Sequence, residues 1–287
     1  MQQHTDASTA GAPCAECRRK HGAGSCPAPP VAWKSAAGVA VVIRGQGTPV
    51  FLMHGIGGSA RSCAALAREL SSAGYRTMCW DAPGYGDSAD PADPINHATV
   101  ALEVLDELGV EKAHLVGTSW GGVIAAILAA GHPERVLSVV LMDSTRGSGR
   151  TGESALRMLN RVPELEEIGA VAVAGKRSAR LVSPHAPAAV AEAVRDDMSR
   201  IRIPGYGAAA RMMATTDTSA DLARITAPAL VLVGADDIVT GVEESRVLAR
   251  IIRGAEFSSI PDAGHAAIQE KPREAASMIL NFWKKHP

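Results

Sequence analysis

A G-x-S-x-G motif occurs at 117–121, where the sequence reads Gly-Thr-Ser-Trp-Gly. An apolar run rich in β-branched residues precedes it, and an alanine-rich, helix-like run follows. This order predicts a sharp turn from a strand into a helix, in which the serine adopts a strained backbone and its neighbours must be small. The Ser119 hydroxyl would then be exposed as a nucleophile. The Trp120 amide, at the start of the helix, would point toward negative charge that forms beside it.

A serine hydroxyl is a poor nucleophile at neutral pH, so this chemistry also needs a histidine as base and a carboxylate that orients it. His265 is the best placed histidine, because a strand-like segment at 256–260 leads through a turn to it. His54 is the main alternative. It lies in a glycine-rich loop, where backbone amides matter more than side chains.

Three aspartates are candidates for the carboxylate. Asp236 and Asp237 end a nearly continuous apolar strand, and active-site groups of open α/β sheets collect at such strand ends. Asp237 precedes His265 by 28 positions, which is about one strand-helix-strand crossover of ~30 residues. Asp143 follows a different strand and would reach the site from there. The residues alone leave all three open.

Alternating strand-like and helix-like segments position these residues. The pattern predicts an α/β fold with a mostly parallel sheet and helices on both faces. We expect strands near 31–35, 39–44, 50–53, 75–80, 113–116, 136–142, 229–234 and 256–260. We expect helices after Ser59 and over 95–108, 123–130, 243–252 and 273–285.

The nucleophile and the acid are separated by 118 residues, whereas one strand, helix and strand need only ~50. The surplus predicts a helical cap over 146–220, with the hydrolase-type core over 31–145 and 221–287. Helices are expected at 153–160 and 187–199, with breaks at Pro163, Pro184, Pro204 and 205–207. The cap would exclude water and shape the substrate pockets.

Six cap arginines could contact an anionic substrate, although interspersed glutamates favour a solvated helix face instead. They are Arg146, Arg150, Arg157, Arg161, Arg177 and Arg180.

Several separated motifs carry a family resemblance: HGIGG at 54–58, DAPGYGDS at 81–88 and HPERV at 132–136. With the nucleophile motif, they show that 31–287 resembles α/β-hydrolase-fold proteins. The resemblance favours Asp237 over Asp236, because the acid lies three positions past the strand-end glycine. It implies a Ser119, Asp237 and His265 triad in the family's chain order. It also implies an oxyanion hole made by the Ile56 and Trp120 amides.

The segments at 188–190, 205–209 and 222–228 look like the cap, and the return of the chain from the cap into the core, in the 3-oxoadipate enol-lactonase and cofactor-free haloperoxidase branch. This implies hydrolysis of a small ester or lactone, from aromatic catabolism, with no metal or organic cofactor. Carbon-carbon hydrolysis of a ring-cleavage product is the alternative. Such enzymes typically carry Asn before the nucleophile and Trp after the histidine, where this chain has Thr118 and Ala266. A non-catalytic binding protein ranks lower, because all three triad residues are present.

Composition limits the partners. The chain has 287 residues, 46% of them hydrophobic, and a net charge of -1, which predicts a soluble globular protein with one large core. Near-neutral charge gives no support to nucleic acid or membrane partners. No apolar run reaches the ~18 residues of a membrane span, and residues 1–30 lack the apolar segment of a signal peptide. We therefore expect a cytoplasmic protein acting on a small molecule. The oligomeric state stays open, a homo-oligomer included.

Residues 1–30 are a separate segment. Cys14, Cys17, His21 and Cys26 there could form a zinc knuckle. The segment is rich in Gly, Pro, Ala and Ser, so we favour a disordered extension without metal.

Overall fold

The structure is a computed structural model that describes residues 29–92 and 94–287. The expected disorder of the N-terminal extension up to residue 28, and the zinc alternative at Cys14, Cys17, His21 and Cys26, lie outside the described residues.

Eight strands form one sheet in the order β1-β2-β4-β3-β5-β6-β7-β8. The pairs β1–β2 and β2–β4 are antiparallel, and the other five pairs are parallel. The strands are β1 (Val31–Lys34), β2 (Ala40–Arg44), β3 (Thr48–Met53), β4 (Tyr75–Trp80), β5 (Ala113–Thr118), β6 (Val136–Met142), β7 (Ala229–Gly234) and β8 (Glu256–Ile260). The predicted α/β class with a mostly parallel sheet is confirmed.

Helices follow most strands. They are α1 (Ala60–Ser72), α2 (His97–Glu107), α3 (Trp120–Gly131), α4 (Gly152–Leu159), α5 (Arg161–Arg177), α6 (Ala188–Met198), α7 (Ile203–Thr215), α8 (Ser219–Arg224), α9 (Gly241–Ile251), α10 (Ala267–Glu270) and α11 (Pro272–Lys285). Short 3₁₀ turns lie at Pro133–Arg135 and Ser178–Arg180. No helix of the described part of the chain is long and apolar enough to cross a membrane.

Apolar residues cover both faces of the sheet. Phe51 and Met53 of β3 belong to a core cluster that includes residues of α3, whereas Val50 and Leu52 belong to a second cluster with residues of α1 and α11. This alternation follows from the two-residue period of a strand. A central parallel strand covered on both faces needs apolar residues at every position, which explains the unbroken apolar runs in the sequence.

Five helices, α4 to α8, lie between β6 and β7, where the sequence predicts the cap. Pro163 and Pro204 do not break this region, because each lies in the first turn of a helix, where a missing N–H costs little. The Gly205-Tyr206-Gly207 segment also lies inside α7, contrary to the expected break. A Cβ at Gly205 would lie 2.4 Å from the carbonyl oxygen of Gly84, so the glycine allows the helix to pack closely on the core. The cap limits of 146 and 220 stay a prediction.

Candidate active site

Ser119 occupies a strained turn between β5 and α3, with φ 54° and ψ -117°. A Cβ at Gly117 would lie 2.3 Å from the carbonyl oxygen of Gly121, and one at Gly121 would lie 2.2 Å from that of Met53. The Ser119 N–H donates to the Met142 carbonyl at 2.8 Å. The two glycines are therefore required by close backbone contacts, and the hydrogen bond to β6 holds the serine in its unusual conformation.

His265 and Asp237 form a hydrogen-bonded pair. His265 Nδ1 lies 3.0 Å from Asp237 Oδ2, and both side chains are buried. Thr240 Oγ1 donates to the same carboxylate at 2.6 Å, and the Val239 N–H donates at 2.7 Å. Burial by itself would raise the pKa of Asp237, but hydrogen bonds from His265, Thr240 and Val239 outweigh it and lower the pKa to about 2. An ionised acceptor places the imidazole proton on Nδ1 and leaves Nε2 free to accept a proton.

The other two aspartates have different partners. Asp236 Oδ2 accepts from Ser183 Oγ at 2.6 Å, a contact to the segment between α5 and α6. Asp143 is fully buried, and its Oδ1 accepts from the Gly234 N–H at 2.7 Å. Burial, and then the charge of Asp237, raise the pKa of Asp143 well above its usual value. Among the described residues, Asp237 is thus the aspartate that contacts His265.

His54 has a structural role, because neither of its ring nitrogens is free to act as a base. Its Nε2 accepts from the Ala82 N–H at 3.0 Å, so Nδ1 carries the proton and donates to the Gly55 carbonyl at 2.8 Å. Burial lowers the pKa of His54, which keeps the ring neutral. The Gly58 N–H also donates to the Gly55 carbonyl, at 3.0 Å. Because C=O and N–H point in opposite directions across a trans peptide, these bonds fix the direction of the Ile56 N–H.

Ile56 and Trp120 both lie beside Ser119. All three line a cavity of about 350 Å³ together with His265. Trp120 is the first residue of α3, and the first N–H groups of a helix have no partner within the helix. The residues that carry the loop amide and the helix amide thus line the same cavity as the nucleophile, and their assignment as the oxyanion hole stays a prediction.

Two cavities meet at the nucleophile. Ile56, Ser119, Leu181 and His265 line both of them. The smaller cavity, of about 50 Å³, is bounded further by apolar residues such as Val194 and extends toward α6. The larger one lies under α4, α5 and α7. A carbonyl group at Ser119 would thus have one substituent in each cavity.

Glu270 is a site residue that sequence reasoning missed. Its buried carboxylate accepts from the Gly264 N–H at 2.8 Å and from the Ser183 N–H at 2.9 Å. The Ala266 N–H donates to the Leu181 carbonyl at 2.7 Å. These bonds tie the His265 loop to the cap. No local pattern marks Glu270, because Ser183 lies 87 positions away. For His54 the signal was present, as a His-Gly pair directly after a strand.

Comparison with known proteins agrees with the fold. The sequence model of the α/β hydrolase fold family matches residues 48–272. The chain belongs to the α/β-hydrolase family. This hydrolase is 30% identical over 267 residues to the 2-hydroxy-6-oxononadienedioate/2-hydroxy-6-oxononatrienedioate hydrolase of Cupriavidus pinatubonensis, with 81% of this chain and 86% of the relative covered.

Two further relatives are named for other hydrolytic activities. The hydrolase is 27% identical over 205 residues to 3-oxoadipate enol-lactonase 2 of Acinetobacter baylyi, covering 69% of this chain and 75% of the relative. Its fold matches a thermophilic esterase from Thermogutta terrifontis with a TM-score of 0.81 and 27% identity, covering 91% of this chain and all of that one. The expectation that the chain is an enzyme of the hydrolase class is confirmed.

Proposed function

We propose that this hydrolase cleaves a small carboxylic ester or lactone through an acyl-enzyme. The observation that carries the proposal is the convergence at one place of Ser119, on its strained turn, and His265, paired with Asp237 at 3.0 Å. Ser119 and His265 line the same two cavities. A nucleophile beside an oriented imidazole is the arrangement that acyl transfer needs.

In the first step, Ser119 Oγ attacks the substrate carbonyl while His265 Nε2 accepts the hydroxyl proton. The charge on the carbonyl oxygen is stabilised by the Ile56 and Trp120 amides. Asp237 stabilises the imidazolium, because its own carboxylate stays ionised at neutral pH. When the intermediate collapses, the imidazolium returns its proton to the leaving oxygen, and Ser119 keeps the acyl group.

In the second step, water replaces the Ser119 hydroxyl as the nucleophile. His265 Nε2 takes a proton from the water, whose oxygen attacks the acyl carbonyl. Collapse of this second intermediate releases the acid and returns the proton to Ser119 Oγ. For a lactone, both products are parts of one molecule, a hydroxy acid.

The cavity sizes support a short substituent on one side of the carbonyl. The smaller cavity measures about 50 Å³, so the shorter of the two substituents would lie there. The larger cavity, about 350 Å³, would hold the rest of the substrate.

Hydrolysis of 4-nitrophenyl acetate, butyrate and octanoate, and of a small lactone, tests this function in the purified protein and in Ser119→Ala. We expect turnover of the short esters or the lactone, with loss of more than 10³-fold in Ser119→Ala. Full activity in Ser119→Ala would contradict the assigned nucleophile.

Carbon-carbon hydrolysis is a second candidate, favoured by the Cupriavidus relative at 30% identity. A dienol ketone would be cleaved beside its carbonyl by the same three residues. Thr118 and Ala266 line the smaller cavity, at the positions where the carbon-carbon hydrolases typically carry Asn and Trp, so we rank this reaction second. A coloured dienol ketone assayed beside the esters decides between the two, because the preferred substrate will show the larger kcat/KM.

A further inference from the structure

Four arginines line the larger cavity next to the nucleophile. They are Arg150, Arg161, Arg177 and Arg180, and one carboxylate, that of Glu244, lines it as well. Arg157 fits the expectation of a solvated helix face, because its side chain is 67% exposed and pairs with Glu153. The other four share the cavity with Ser119 and His265, and of these Arg150 and Arg180 are also exposed to solvent.

Two of these arginines have local counter-ions. Arg177 pairs with Glu164. Arg150 lies 3.9 Å from Glu244, whose carboxylate is bound more closely by Arg146 at 2.8 Å. Their charges are therefore partly or wholly compensated within the cap.

Arg161 and Arg180 differ from them. Neither side chain makes a hydrogen bond or ion pair with any residue that the structure describes. Arg161 begins α5, and Arg180 ends the 3₁₀ turn that follows it. Two uncompensated positive charges thus lie at the wall of the cavity that contains Ser119. A cleft with one sign of charge concentrates ligands of the opposite sign.

We propose that the substrate carries a carboxylate beyond its scissile carbonyl, and that Arg161 and Arg180 bind this carboxylate in the larger cavity. The proposal rests on the proposed serine hydrolase function and adds its substrate class. A guanidinium presents two parallel N–H donors that match the two oxygens of a carboxylate. The substrate is then a half-ester of a dicarboxylic acid, or a lactone with a free carboxylate.

Matched substrates test the proposal. The half-ester 4-nitrophenyl hydrogen glutarate carries a terminal carboxylate, and 4-nitrophenyl valerate has an acyl chain of the same length without it. For the unmodified protein, we expect kcat/KM to be at least tenfold higher for the half-ester. In Arg161→Met and Arg180→Met, the ratio of the two kcat/KM values should fall about 10-fold each, as expected for one charge-assisted hydrogen bond. The change should lie mainly in KM, because the carboxylate is remote from the reacting bond.

Arg157→Met is the matched control, because it removes a cap arginine whose side chain does not line the cavity. Its ratio should equal that of the unmodified protein. Unfolding midpoints in urea check that the three single variants and the double variant fold alike. A ratio that changes less than twofold in the Arg161→Met, Arg180→Met double variant would overturn the proposal, as would equal kcat/KM for the two esters in the unmodified protein.

These results are separable from the proposed function, which fails if the unmodified protein hydrolyses neither ester or if Ser119→Ala retains hydrolysis of both. Competition experiments separate a carboxylate from another anion. Glutarate should inhibit valerate ester hydrolysis competitively and lose potency in the double variant. Inhibition by inorganic phosphate but not by glutarate would refute the assignment of a carboxylate.

Discussion

His54 holds the peptide group between Gly55 and Ile56. Changing this histidine should lower kcat, because the direction of the Ile56 N–H is then less well fixed. His54 makes two bonds with different consequences. Its Nδ1 donates to the Gly55 carbonyl at 2.8 Å, and its Nε2 accepts from the Ala82 N–H at 3.0 Å. In His54→Asn, the amide nitrogen can replace Nδ1. In His54→Gln, the amide oxygen can replace Nε2.

The two substitutions should therefore have similar effects on stability and different effects on catalysis. Each loses one buried neutral hydrogen bond, which should reduce the free energy of unfolding by about 1–3 kcal/mol. Complete loss of an oxyanion donor costs about 10²–10³ in kcat. The Gly58 N–H still holds the Gly55 carbonyl, at 3.0 Å. We therefore expect about a 10-fold loss of kcat in His54→Gln and less than about 3-fold in His54→Asn.

Steady-state hydrolysis of 4-nitrophenyl butyrate gives kcat and KM for both variants, and urea unfolding gives their stability. If the reasoning holds, kcat separates the two variants while the unfolding midpoints do not. Equal kcat values in the two variants, or a loss of kcat that follows the loss of stability, would refute the assignment of the Ile56 amide.

Three further predictions follow from other contacts. Asp237→Asn should reduce kcat about 10²–10⁴-fold, because the amide no longer favours the required imidazole tautomer. Asp236 does not contact the histidine, so Asp236→Asn should keep kcat within a few fold. A larger loss of kcat in Asp236→Asn than in Asp237→Asn would show that the acid is misassigned. Gly121→Ala should lower the unfolding free energy by about 2–3 kcal/mol, because the added Cβ would lie 2.2 Å from a carbonyl oxygen of β3. An unchanged urea midpoint would contradict this prediction. Burial lowers the pKa of His97 and of His114 to about 4. As pH falls below about 6.5, these histidines therefore take up protons in the unfolded chain before they do so in the folded protein. The free energy of unfolding at pH 5 should thus be about 2 kcal/mol lower per histidine than at pH 7. Urea unfolding at both pH values should show this loss, and the loss should be smaller in His97→Phe by about 2 kcal/mol, whereas pH-independent stability would speak against it.

The sequence predicts the sheet better than the cap. Strands at 75–80, 136–142 and 256–260 were expected with the bounds that the structure shows. The strand at 136–142 is the clearest of them, because it is apolar at all but one position, as a buried parallel strand needs. The break expected at 205–207 was wrong. Gly205 permits contact with Gly84, which is distant in the sequence, and no local pattern distinguishes such a glycine from a turn residue.

The same limit applies to the site. Ser119 could be located from the sequence because its strained turn needs a local glycine pattern. The arginines of the cap could be named but not assigned, since their contacts depend on how α4, α5 and α7 pack over the sheet. Glu270 was not predicted, because the amides that it binds are brought together only by the tertiary fold.

Covalent labelling of the nucleophile tests the central claim most directly. A fluorophosphonate loses fluoride when an activated serine oxygen attacks its phosphorus, and the adduct adds a known mass to one peptide. We predict one label per chain, on Ser119, with much slower labelling in His265→Ala and none in Ser119→Ala. A label on any other residue, or undiminished labelling and ester hydrolysis in Ser119→Ala, would contradict the account.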